Sequence, residues 1–173
     1  MRSSKRYTNV TFTKRVDHEA GRHRPPRAPA EPLVCAACGA VYVHRRWVAP
    51  ETGPAEPVVA GSGVAKRALC PPCRQQQTGP PCGYVRAEGT FLAAHLDEVE
   101  RLLVNEAERT AVDNHTARIM TWDRSKPGVL ELTTTTPHLA QRLGHALQKA
   151  LSGTVHYDFS HENRVARVTW RRD

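Results

Sequence analysis

Apolar and polar positions along residues 84–173 follow two rhythms, one near 3.6 residues and one of 2. After Gly83, Tyr84–Glu88 predicts a short strand. Phe91–Arg109 predicts a helix. Leu92, Leu96, Val99 and Leu103 recur there at helical spacing, and Asp97, Glu98, Glu100 and Arg101 fall largely outside the stripe. Ala117, Ile119 and Thr121 alternate with Arg118, Met120 and Trp122, as a strand requires. Lys126-Pro127-Gly128 makes a turn, and the β-branched run Val129–Thr135 predicts the paired strand. Thr136-Pro137 supplies an N-cap and a first-turn proline. The second helix carries Leu139, Leu143, Leu147 and Leu151 on one stripe, and Gly153 can end it. Val155, Tyr157 and Phe159 alternate in the next strand. His161-Glu162-Asn163 turns the chain into Arg164–Trp170, the last strand. The order β-α-β-β-α-β-β predicts an α+β sandwich, two helices over one face of an antiparallel sheet. That arrangement is close to the split-βαβ plan with one added strand.

The rhythm changes upstream. Val41–Val48 reads as a strand, broken by Pro50, Gly53 and Pro54, and Val58-Val59 begins a short return segment. Gly61-Ser62-Gly63 then bends the chain. On either side lie Cys35-x-x-Cys38-Gly39 and Cys70-Pro71-Pro72-Cys73, each expected in a tight turn. Two residues between thiols let both sulfurs of one turn reach the same ion, and two such turns complete a tetrahedral site. The pattern is that of a zinc ribbon, two knuckles and a β-hairpin, with 31 residues between the pairs. Residues 1–31 have neither rhythm and end in Arg24-Pro25-Pro26-Arg27-Ala28-Pro29. They cannot bury enough apolar surface to offset ordering entropy, so a disordered basic tail is expected. The expected organisation is a tail over 1–31, a zinc ribbon over 32–83 and an α+β domain over 84–173.

Composition changes the picture through charge. The chain has 173 residues and a net charge of +8. Residues 1–33 hold eight Lys/Arg and three acids, residues 34–83 five and two, and residues 84–173 twelve of each. All the excess positive charge therefore lies in the tail and the cysteine region, which suits an anionic partner joined to a neutral scaffold. No apolar run approaches the ~18 residues of a membrane span. The basic amino-terminus lacks the apolar stretch of a secretory signal. A cytoplasmic, reducing setting is expected, in which paired cysteines read as metal ligands rather than disulfides.

Cys35, Cys38, Cys70 and Cys73 are thus the expected ligands of one structural Zn²⁺. Four thiolates close the coordination sphere and leave no open position for catalysis. The competing reading, a pair of redox dithiols, needs an exposed pair of low pKa at a helix start. Cys82 is left as a spare thiol at the junction or, on the less favourable spacing, a substitute ligand. His44 lies close enough in sequence to approach the site. His95 falls on the apolar side of the first helix, where a hydrogen-bonded core histidine is the expectation. His138, His145, His156 and His161 have no ligand spacing. Glu98, Glu100, Glu106 and Glu108 are expected on a solvated face. No nucleophile elbow, phosphate-cradling glycine loop or carboxylate pair is present, so no enzyme is expected.

The candidate nucleic-acid contacts fall in two sets. Arg2, Lys5, Arg6, Lys14, Arg15, Arg22 and Arg24 in the tail flank Tyr7 and Phe12, a mix that neutralises phosphates and stacks on bases. Arg45, Arg46 and Trp47 sit on the ribbon hairpin, with Lys66, Arg67 and Arg74 near the second knuckle. Arginine forks match phosphate oxygens. Trp47 either stacks on a base or packs over the zinc site.

Cys35-x-x-Cys38-Gly39, Arg46-Trp47, Leu69-Cys70-Pro71-x-Cys73, Gly89-x-Phe91-Leu92-x-x-His95 and Asn105-Glu106 resemble a family of small bacterial zinc-ribbon proteins, over residues 31–173. The order of parts is also similar to the amino-terminal region of the archaeal and eukaryotic nuclear-export adaptor of the large ribosomal subunit, the nonsense-mediated-decay protein three family. Thr133-Thr134-Thr135 and Leu139-Ala140-Gln141-Arg142-Leu143 carry that similarity. The adaptor family has more cysteines than this chain, so the resemblance implies an architecture and a ribosomal setting without the export role. The resulting expectation is a non-enzymatic ribosome-associated factor that binds rRNA, acting in dormancy or stress, quality control or subunit maturation. The alternative is a DNA-binding or transcription-linked zinc-ribbon regulator, although no helix in the pattern carries Arg, Asn or Gln toward a groove.

Overall fold

The computed structural model describes residues 33–50, 66–160 and 164–173. The tail with its nine candidate contacts, Val58-Val59 and His161 lie outside them.

Four short strands form the first sheet: β1 (Leu33–Cys35), β2 (Val41–Val43), β3 (Arg46–Val48) and β4 (Lys66–Ala68). Their order is β3-β2-β1-β4, with β1 and β4 parallel. The expected single strand over Val41–Val48 is a hairpin instead. His44 and Arg45 both take positive φ, 49° and 63°, the conformation a two-residue hairpin turn demands. Nothing in the hydrophobic pattern marks that turn, because neither residue is Gly or Asn.

Helix α1 (Pro71–Thr78) follows, then β5 (Gly83–Glu88), α2 (Thr90–Ala94), α3 (Leu96–Asp113), β6 (Ile119–Asp123), β7 (Val129–Thr134), α4 (Pro137–Leu151), β8 (Thr154–Ser160) and β9 (Val165–Arg171). The fold is α+β, and the second sheet has the order β6-β7-β5-β9-β8. It is mixed rather than antiparallel: Val85 pairs with Val168 in a parallel register between β5 and β9. The β8–β9 hairpin enters with β9 inward, so the last strand lies against the first and β8 takes the edge.

The inner face of this sheet presents Val85, Ala87, Leu130, Leu132, Ala166, Val168 and Trp170, all buried. Onto it packs α4 through Leu139, Leu143 and Leu147, each fully buried and worth ~1.5–3 kcal/mol. Thr136 caps α4 as its sequence requires, its Oγ1 accepting from the Leu139 N–H at 3.3 Å. Gly144 lets the helix approach closely, since a Cβ there would collide with Val168 Cγ1 and sit 3.2 Å from the Tyr157 ring.

The expected helix over Phe91–Arg109 is interrupted at His95, whose φ and ψ are −127° and 31°. The Phe91 N–H donates to the Arg172 carbonyl at 3.2 Å, tying α2 to the end of β9, whereas α3 follows α4. Two docking surfaces impose two axes. His95 is consequently exposed, not a core histidine; it stacks on Phe91 at 4.2 Å and pairs with Glu98 at 3.4 Å. The acidic face of α3 is likewise not uniformly solvated. Glu106 binds Arg142 at 2.7 Å and Glu100 pairs with Arg124, with side chains only 13% and 17% exposed.

Candidate metal centre

The first cysteine pair is built by a strand end and a tight turn. Cys35 closes β1, its N–H donates to the Ala40 carbonyl at 2.7 Å, and the Gly39 N–H returns to the Cys35 carbonyl at 3.0 Å. Gly39 holds φ at +73°, a conformation that favours glycine, and so lets the loop close beneath its sulfurs. The second pair departs from the tight turn expected of it. Cys70 is the N-cap of α1, Pro71 and Pro72 occupy the first turn, and Cys73 follows within it. Proline is at home there because those N–H groups have no partner inside the helix. The pair therefore does sit at a helix start, but Cys70 and Cys73 are 0% and 6% exposed, which removes the access a redox dithiol needs.

The four sulfurs of Cys35, Cys38, Cys70 and Cys73 all lie within 4.8 Å of one another. Zn–S bonds of ~2.3 Å in a tetrahedron place sulfurs about 3.8 Å apart. The Cys38 and Cys70 sulfurs are 3.7 Å apart, so that edge already has the length a zinc ion requires. Electrostatics agree. Burial pushes the Cys73 thiol up to about 11 and raises Cys70 further. Burial also opposes the Cys35 thiolate, but N–H groups of Cys70, Cys38 and Ala37 outweigh it and bring that thiol down to about 6. Thiolates buried this way require a cation, and a divalent ion meets the need. The cluster is consistent with a structural Zn²⁺ site, held by four thiolates with Ala40, Trp47 and Leu69 packed around them. Trp47 is half-buried on the cluster and also meets Tyr42 at 5.3 Å.

Neither His44 nor Cys82 joins the four sulfurs. His44 is in the hairpin turn. The Cys82 sulfur accepts from Gln75 Nε2 at 3.4 Å, at the entrance to β5. The residue the sequence pattern passes over is His115, which lies just beyond α3 and is 7% exposed. Its Nε2 is 3.7 Å from Cys38 Sγ, and Arg118 brings Nη1 to 3.7 Å from Cys73 Sγ. Burial, with the Arg118 charge beside it, pulls the His115 pKa down to about 4, leaving a neutral ring. No ligand spacing announces either residue; they are 77 and 45 positions from the cysteines they meet.

Of the sequence-selected cations, Arg45, Arg46, Lys66, Arg67 and Arg74 are exposed. Arg46 lies on one edge strand of the four-stranded sheet, Lys66 and Arg67 on the other, and Arg74 on α1. Among the described residues, Arg46, Lys66, Arg67 and Arg74 form no ion pair, and no helix is long and apolar enough to cross a membrane. Comparison with protein-family models, curated proteins and solved structures finds no match to this chain.

Proposed function

We propose that this chain is a non-enzymatic, cytoplasmic ribosome-associated factor that grips rRNA through residues 1–31 and the cysteine module. The module is read as a zinc ribbon, and residues 84–173 as a split-βαβ-like unit with one added strand. The observation that carries the reading is the state of the cations. Near the metal centre Arg46, Lys66, Arg67 and Arg74 are exposed and form no ion pair among the described residues, whereas in the five-stranded unit Arg86, Arg124 and Arg142 are engaged by Glu88, Glu100 and Glu106. Unpaired arginines and lysines are available to phosphate oxygens without first breaking an internal pair. The segregated charge and the similarity in order of parts to the nuclear-export adaptor family of the large ribosomal subunit point the same way. Zinc then shapes the surface that meets RNA, and the neutral unit docks on protein or occupies a functional site. The factor acts in dormancy or stress, quality control or subunit maturation.

One observation favours a second reading, a DNA-linked regulator. Helix α1 exposes Arg74, Gln76 and Gln77, a short helix with groove-reading side chains that the sequence pattern did not reveal. Against it, Gln76 Nε2 already donates to the Ile119 carbonyl at 3.2 Å.

Sedimentation of cell extracts separates the readings. A ribosomal factor co-sediments with ribosomes at low salt and is stripped at high salt, because phosphate contacts release counterions. Recovery only in the soluble fraction at low salt, in every growth phase, overturns the proposal. Sequence-selective retention on duplex DNA in the presence of excess rRNA establishes the second reading instead.

A further inference from the structure

His115 and Arg118 occupy a segment with an unusual set of restraints. The Thr116 N–H and hydroxyl both bond Asn114 Oδ1, at 3.0 and 2.6 Å, which closes the turn after α3. The Arg118 N–H donates to Thr135 Oγ1 at 2.8 Å, and the Thr135 N–H returns to the Arg118 carbonyl at 2.9 Å. Thr135 is itself 4% exposed, and its carbonyl accepts from Gln75 Nε2 at 3.0 Å. Gln75 belongs to α1, the helix that carries Cys73. The circuit runs from the sulfurs through α1 to Gln75, on to Thr135, along 114–118 and back to the sulfurs through His115 and Arg118.

Charge explains why this segment returns to the cysteines. Four thiolates around a divalent cation leave two net negative charges in a buried place, which is costly without nearby donors or cations. Arg118 supplies a permanent charge at Cys73. The imidazole supplies a donor at Cys38, the least buried of the four sulfurs. Hydrogen-bond logic then selects one tautomer. Arg118 Nη2, which only donates, reaches both ring nitrogens, 2.9 Å from Nε2 and 3.2 Å from Nδ1. A metal-bound thiolate only accepts, so with the metal bound Nε2 carries the ring proton toward Cys38 and Nδ1 is the acceptor left to the guanidinium.

We propose that His115 and Arg118 form the outer shell of the metal centre, so that metal occupancy and docking of the 114–118 segment stabilise each other. The proposal rests on the metal centre alone and not on the ribosomal reading. Outer-shell donors typically hold 10–100-fold of a site's metal affinity.

Zinc affinity of the full chain, measured by competition with a chromophoric chelator, tests this with Arg118→Met and His115→Phe, and with His115→Gln as the variant that keeps a donor. The two disruptive variants are expected to bind zinc about 10–100-fold more weakly at unchanged stoichiometry, with His115→Gln recovering part of the loss. In the zinc-loaded wild type, ¹⁵N signals of the His115 ring are expected to report Nε2–H. Chelation is expected to accelerate amide exchange at 115–118 and Thr135 while leaving Val85 and Val168 protected. This last measurement needs no variant to fold. Affinities within twofold of wild type, a proton on Nδ1, or exchange at 115–118 unaffected by chelation each overturn the proposal. A wild-type chain that takes up no zinc overturns the metal centre itself, and the outer shell with it.

Discussion

The two sheets are held by different physics. The five-stranded sheet encloses one apolar cluster, with Leu103, Leu143, Leu147 and Trp170 at its centre and α4 laid across it. The four-stranded sheet has strands of three residues, and its cluster beneath the hairpin is four cysteines and Ala40 with Trp47 and Leu69 at the margin. Burial of large aliphatic side chains accounts for the first. Among the described residues the second buries only Leu33, Val41 and Tyr42 besides that cluster, and a metal supplies what burial does not. Their surfaces differ in the same sense. Over the apolar core Arg86, Arg124 and Arg142 are paired with carboxylates, while by the metal centre Arg46, Lys66, Arg67 and Arg74 form no ion pair among the described residues. A region stabilised by a metal can spend its surface on a ligand.

The largest perturbation separates the two regions outright. Cys70→Ser, or a strong chelator, is expected to remove about one zinc per chain, a centre worth on the order of 10 kcal/mol in small zinc modules, and to unfold the four-stranded sheet. Metal analysis and near-ultraviolet dichroism of Trp47 follow the loss; retained zinc refutes the ligand assignment. The converse experiment is Trp170→Ala. Trp170 is fully buried and donates from Nε1 to the Ser152 carbonyl at 2.7 Å, so its truncation is expected to cost about 3–5 kcal/mol. Denaturant midpoints should fall while zinc content stays constant. Gly144→Ala is a milder blow to the same core: the new methyl meets Val168 Cγ1, and about 1–3 kcal/mol is expected from overpacking. Removing the α4 cap with Thr136→Ala should cost about 1 kcal/mol, read by thermal melting. Arg46→Ala and Arg67→Ala should leave stability within about 0.5 kcal/mol. Each should also lower the salt slope of RNA binding by about 1, and deletion of residues 1–30 by more. An unchanged slope in all three removes the electrostatic grip from these positions.

The strand–helix order of residues 84–173 was legible, and so were the four ligands, because both are local signals. Leu139, Leu143, Leu147 and Leu151 mark a helix face by spacing alone, and Thr136-Pro137 marks its start. Cys35 and Cys38 mark a shared ion by the reach of one turn. The departures all come from context. His44 and Arg45 turn a hairpin without turn residues because β2 and β3 pair around them. His95 leaves the helix because Phe91 is tied to Arg172. Glu100 and Glu106 are drawn inward by Arg124 and Arg142 from other elements. Periodicity records which face of an element is apolar, and it carries no information about which element will meet the polar one.

By itself the sequence determined where each rhythm of 2 or 3.6 begins and ends, that four thiols can share one ion, and that positive charge gathers before residue 84. Only the tertiary structure decided that β9 runs parallel beside β5, that the second cysteine pair opens a helix, and that His115 and Arg118 stand against the sulfurs. The reason is range. Backbone preference and side-chain spacing act over a few residues and are written into any short window. Strand order and the outer shell of a metal depend on segments tens of residues apart, brought together by packing that no window of the chain contains.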